Sequence, residues 1–148
     1  MADKSPFPAP AGSAGLEEGS ALTPKFDADG LITCVATDAA SGDVLMVAHM
    51  NAEALAKTIA SGEVWYYSRS RDALWKKGET SGHVQRVVEM RVDCDQDAVW
   101  IRVEQQGAAC HTGRKSCFYR KIETAGGGSV LVPVGATRLF DPKAVYKK

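Results

Sequence analysis

The chain has 148 residues, with 18 Lys+Arg against 18 Asp+Glu and a formal net charge of +0. That length suits one domain with a sizeable core, and a neutral balance gives no global pull toward nucleic acid or an anionic membrane. The sequence has no apolar run of membrane-span length and no secretory leader, so its four cysteines point to metal binding or catalysis in the cytoplasm rather than to disulfides.

Residues 1–22 are rich in Ala, Pro, Gly and Ser and read as a flexible tail, because they bring too little apolar surface to offset their ordering entropy. The periodic pattern occupies 23–123. Short β-branched runs at 31–37 and 44–48, joined through Ser41-Gly42-Asp43, predict a β-hairpin. Asn51 as N-cap and Gly62 past the end frame one short amphipathic helix, with Ala52, Leu55, Ala56 and Ile59 as its apolar stripe. Residues 64–67 read as a strand.

Residues 84–92 alternate, with Val84, Val88, Met90 and Val92 on one face, Gln85, Glu89 and Arg91 on the other, and Arg86 interrupting the apolar side. Residues 98–104 also alternate, Val99, Ile101 and Val103 against Trp100, Arg102 and Glu104. A weaker strand is expected at 118–122. The C-terminal extension, 124–148, reads as loop with one apolar run at 130–134. The fold class predicted is α+β, mainly antiparallel sheet with one short helix.

Chemistry concentrates between Asp93 and Cys117. Asp93, Asp95 and Asp97 alternate with Cys94 and Gln96, and an extended strand end would set the three carboxylates on one side. Three like charges that close call for a cation, and hard oxygen donors suit magnesium. An EF-hand loop counted from Asp93 finds Glu104 at position 12 but Ala98 where glycine belongs, and its flanks are strand-like rather than helical. A solvated acidic turn is the bland alternative.

Cys94, Cys110 and Cys117 follow C-x15-C-x6-C, three thiols rather than the four that close a structural zinc site. Three thiolates make zinc a weaker Lewis acid than neutral imidazoles do. Water there needs a proton-transfer partner, a role for which His111, beside Cys110, is the candidate. Cys34, inside a strand, reads as a buried hydrophobe and His49 as structural. Donors for two kinds of metal on one short segment read as an active site. Upstream, Arg69, Arg71, Lys76, Thr80 and Ser81 offer charges and hydroxyls for phosphate or ribose, and Trp75 could cover a base or pack. The loop lacks Walker spacing, and an ordinary solvated turn is its plain alternative.

Four separated motifs carry a resemblance. Residues 65–70, then Leu74-Trp75-Lys76-Lys77-Gly78-Glu79-Thr80-Ser81-Gly82, then Asp93-Cys94-Asp95-Gln96-Asp97, then Cys110-His111-Thr112-Gly113 with Ser116-Cys117-Phe118, resemble the phosphoribosyl-AMP cyclohydrolases of histidine biosynthesis. The resemblance spans residues 26–122. It implies hydrolysis of the N1–C6 bond in the adenine ring of phosphoribosyl-AMP by zinc-activated water, giving the phosphoribosylformimino intermediate. It also implies zinc on Cys94, Cys110 and Cys117, shared between subunits of an intertwined homodimer, and magnesium on Asp93, Asp95 and Asp97. Many bacterial relatives carry a further pyrophosphohydrolase domain, for which this chain is too short, so a monofunctional enzyme is expected. The rival from another class is a zinc-stapled interaction module without turnover, which leaves the aspartates and the 78–82 loop unexplained.

Overall fold

A computed structural model describes residues 5–9, 12–135, 138–139 and 142. Ten elements run along it: α1 (Ser13–Glu18), β1 (Ile32–Asp38), β2 (Val44–Met50), α2 (Ala52–Ser61), β3 (Trp65–Ser68), β4 (Ala73–Lys76), β5 (Gln85–Val92), β6 (Ala98–Gln105), β7 (Arg120–Ala125) and β8 (Gly128–Pro133). The main sheet has the order β2-β1-β6-β5, and β3-β4 and β7-β8 form two-stranded sheets. All pairings are antiparallel except β1 with β6, so the α+β class and the antiparallel majority expected from sequence hold. Among the described residues two helices form rather than the one expected. No helix among the described residues is long and apolar enough to cross a membrane.

The first hairpin closes where expected. Asp38 Oδ1 accepts the Ala40 N–H at 3.1 Å, and Gly42 takes φ +80°, where a side chain is disfavoured. Asn51 caps α2 by accepting the Ala54 N–H at 2.8 Å, and Gly62 ends it at φ 75°. The buried face of α2 is rotated from the predicted stripe. Ala54, Leu55 and Thr58 are buried, whereas Ile59 is 49% exposed. Thr58 explains the shift: its hydroxyl donates to Ala54 O at 2.8 Å and accepts the Trp65 N–H at 2.9 Å, which ties the helix to β3.

The core joins Ile32, Cys34 and Ala36 of β1, Leu45 and Met50 of β2, Leu55 of α2, Val64 and Tyr66, and Val99, Ile101 and Val103 of β6. Cys34 is structural as expected, and burial pushes its thiol up to about 12. The two faces predicted for β5 need correction. A register shift between Val87 and Glu89 inserts an extra residue, so Val88 is 52% exposed. Gln85, placed on the polar face from the alternation, is fully buried. It accepts from Tyr66 Oη at 2.6 Å and donates to Gln105 Oε1 at 2.9 Å, so its polar atoms are satisfied inside the core.

Both ends carry more structure than the sequence suggested. The segment read as a flexible tail contains α1. In the C-terminal extension, residues 128–133 form β8 and pair with β7 around Gly126 and Gly127, both at positive φ. Every residue of β7 is exposed, and Ile122 is 77% exposed.

Candidate active site

The carboxylates sit on the connection from β5 to β6, which is a closed turn rather than the extended strand end expected. Asp93 Oδ1 accepts the N–H groups of Asp97 at 2.9 Å and Ala98 at 3.2 Å, and Gln96 stands at φ 59°. The turn draws one oxygen each from Asp93, Asp95 and Asp97 within 4.8 Å of one another. Hydrogen bonds with Asp93 and Asp95 push the Asp97 carboxyl up to about 6. Burial pushes Asp93 upward, but hydrogen bonds from Asp97 and Ala98 outweigh it and hold this carboxyl below its usual range. A proton shared among crowded carboxylates is the condition a divalent cation relieves, and largely exposed oxygen donors leave room for its water, so these residues fit magnesium.

The second donor set lies on the loop after β6. Cys110 N–H donates to Arg114 O at 3.1 Å, Ala109 N–H to Lys115 O at 3.1 Å, and Gly113 N–H back to Cys110 O at 3.0 Å. The loop is also fastened to the β1–β2 hairpin: Cys117 N–H donates to Leu45 O at 2.7 Å, Ser116 Oγ to Val44 O at 2.6 Å, and Lys115 pairs with Asp38 and Asp43 at 3.1 and 3.0 Å. Cys110 is buried. Cys117 has exposed surface, yet its thiol turns toward Cys110 and is pushed up to about 12, first by desolvation and then by that neighbour. Two thiols this close, soft donors on one loop, suit a soft cation such as zinc. His111 is exposed beside them.

Cys94 does not complete this set within one chain. It is exposed on the aspartate turn, and among the described residues the only group of three or more metal-donor side chains is the aspartate one.

Lys77 is the residue that sequence reasoning passed over. It is 6% exposed, and its Nζ donates to Ala109 O at 2.6 Å, next to the thiol pair. Burial pushes its ammonium pKa down, while Cys117 and Cys110 draw it back up. A signal was available: Lys77 lies two residues beyond Trp75 of β4, a spacing that sends both side chains to one face. Lys76, chosen instead, pairs with Glu63 at 2.6 Å.

Arg69, Arg71 and Trp75 line a shallow cleft of ≈ 590 Å³ together with His49 and Tyr67. Trp75 packs on Tyr66 with ring centroids 5.2 Å apart, and the Arg71 guanidinium lies 5.9 Å from its ring. Lys76, Thr80 and Ser81 are not in that lining. The larger cavity, ≈ 970 Å³ between Phe26, Asp29 and α2, holds none of the candidate residues.

The 78–82 turn is shaped by glycine. Gly78 has φ +89°, and a Cβ there would lie 2.5 Å from Val84 N and 2.6 Å from His83 C, both backbone atoms. Gly78→Ala is expected to cost at least about 2 kcal/mol, seen as a lower urea midpoint at unchanged slope. An unchanged midpoint would show that the turn relaxes freely.

A carboxylate triad and a thiol pair, set on two loops of a mainly antiparallel α+β domain, define the class as a candidate metal-dependent enzyme. A family model described as phosphoribosyl-AMP cyclohydrolase matches residues 46–119. The chain is 76% identical over 133 residues to a phosphoribosyl-AMP cyclohydrolase of Bradyrhizobium diazoefficiens, covering 90% of this chain and 95% of the relative. It is 73% identical over 134 residues to that of Rhodopseudomonas palustris strain BisB5, covering 90% and 91%. It belongs to the phosphoribosyl-AMP cyclohydrolase family.

Proposed function

We propose that the chain hydrolyses phosphoribosyl-AMP, opening its adenine ring between N1 and C6. One observation at the site carries the reading most directly: the pair of Cys110, buried, and Cys117, partly exposed, lies beside an exposed histidine and a buried lysine, while the third thiol projects from the aspartate turn. Cys110 and Cys117 of one subunit with Cys94 of a second would hold zinc. Asp93, Asp95 and Asp97 would hold magnesium.

Zinc, when bound, would supply a Lewis-acidic site that eases the ionisation of water, less strongly on three thiolates than on imidazoles. His111 takes the proton from the attacking water at its imidazole. The hydroxyl goes to C6, the C6–N1 bond breaks, and N1 receives a proton, so the step consumes one water and changes no oxidation state. Arg69 and Arg71 would hold a phosphate by charge-assisted hydrogen bonds, and Thr80 and Ser81 would offer hydroxyls. Lys77 anchors the thiol loop through Ala109 O, and its buried positive charge offsets that of ionised thiols.

The test is an absorbance assay with phosphoribosyl-AMP, AMP serving as control. Ring opening of the first alone, abolished by a zinc chelator and restored by zinc, is the expected result. Zinc bound without turnover would sink this reading in favour of a zinc-stapled interaction module.

A further inference from the structure

The stretch matched to the family begins at residue 46, so the segment leading into β1 lies outside it. In the structure this segment is fastened to the tip of the aspartate turn by one residue, Gln96. Gln96 is 3% exposed. Its Oε1 accepts the Thr23 N–H at 2.9 Å, and its Nε2 donates to Leu16 O at 3.1 Å and Ala21 O at 3.4 Å. Its backbone carbonyl accepts the Lys25 N–H at 2.7 Å. The segment therefore lies along the turn, and a cleft of ≈ 430 Å³ between them is lined by Leu16, Ala21 and Leu22 on one side and Asp93, Cys94 and Gln96 on the other.

Gln96 holds φ 59° without being glycine. Such a residue costs about 1–2 kcal/mol and persists where the surroundings over-determine it. Four hydrogen bonds to residues 16–25 supply that determination. Asp95 and Asp97 flank Gln96, so the dihedral it adopts sets the angle between their side chains, and Cys94 is carried on the same turn.

We propose that residues 16–25 form a clasp that fixes the cation-binding geometry of the aspartate turn, with Gln96 as its positioning residue. The proposal rests on reading Asp93, Asp95 and Asp97 as ligands of a divalent cation, and extends it to a segment that supplies no ligand.

The experiment is Mn²⁺ binding followed by electron paramagnetic resonance, together with amide exchange of residues 16–25, on the full-length wild type and the Gln96→Gly, Thr23→Pro and Asp95→Asn variants. Gln96→Gly keeps the backbone free to adopt positive φ but removes the side-chain bonds. Thr23→Pro removes a donor to Gln96 without altering an atom of the turn. Both are expected to speed exchange in the segment and to weaken Mn²⁺ binding by about 10-fold, the effect of losing an outer-shell partner. Faster exchange with unchanged Mn²⁺ affinity overturns the clasp while leaving the ligands in place. No Mn²⁺ binding by the wild type, or binding untouched by Asp95→Asn, overturns the ligand reading and the clasp with it.

Discussion

Replacing His111 by alanine is expected to lower kcat by about 10²–10⁴-fold while zinc content and thermal stability stay near wild type. The asymmetry follows from position. His111 is exposed, whereas the loop that carries it is held by backbone bonds from Ala109, Cys110 and Gly113 and by the Ser116 and Lys115 contacts to the first hairpin. Removing an exposed imidazole leaves all of these intact. It deletes the imidazole next to Cys110 in the chain, the side-chain type suited to taking and returning a proton. Steady-state turnover on phosphoribosyl-AMP reads the loss, and partial recovery with added imidazole distinguishes a missing proton acceptor from a distorted loop. Turnover equal to wild type would remove His111 from the reaction.

Some of this site was legible in the sequence because its chemistry is local. Alternation fixed the inward face of β6, Val99, Ile101 and Val103, and the capping residues Asn51 and Gly62 framed α2. The donor residues stood out by type and spacing alone. What escaped notice depends on contacts distant in sequence. Gln85 looks like a solvent-facing residue until Tyr66 and Gln105 are seen to satisfy it, and the bulge at Val88 has no local signal such as glycine. β4 is short, lies among charged residues, and pairs only with β3, so it reads as loop; missing it hid Lys77. The parallel pairing of β1 with β6 joins strands some sixty residues apart, and no hairpin turn announces it. Likewise α1 has neither a side-chain cap nor an acidic first turn, and the segment that contains it is tied down by Gln96.

The second expected result concerns how the thiols assemble. Cys94→Ala and Cys117→Ala variants should each lose more than the about 10–100-fold typical of outer-shell changes, and mixing them under subunit exchange should restore about a quarter of wild-type activity. In a dimer whose sites each take Cys94 from one chain and the Cys110–Cys117 pair from the other, a mixed dimer has one intact site and one doubly broken site, and half of the dimers are mixed. The geometry motivates the experiment, since Cys94 stands exposed on the aspartate turn while the pair is fastened to the β1–β2 hairpin. The β7–β8 arm adds a physical reason for a second copy. A lone two-stranded hairpin is marginal in water, yet this one exposes Ile122, Val130 and Leu131, apolar surface that a partner subunit would cover. Mixing Cys110→Ala with Cys117→Ala is the control, because both chains then carry a broken pair and no arrangement of the dimer repairs it. Recovery in the first mixture alone supports the shared site. Recovery in neither, with exchange verified by mass, would place all three thiols within one chain, and recovery in both would assign Cys110 and Cys117 of each site to different chains and so overturn the pair.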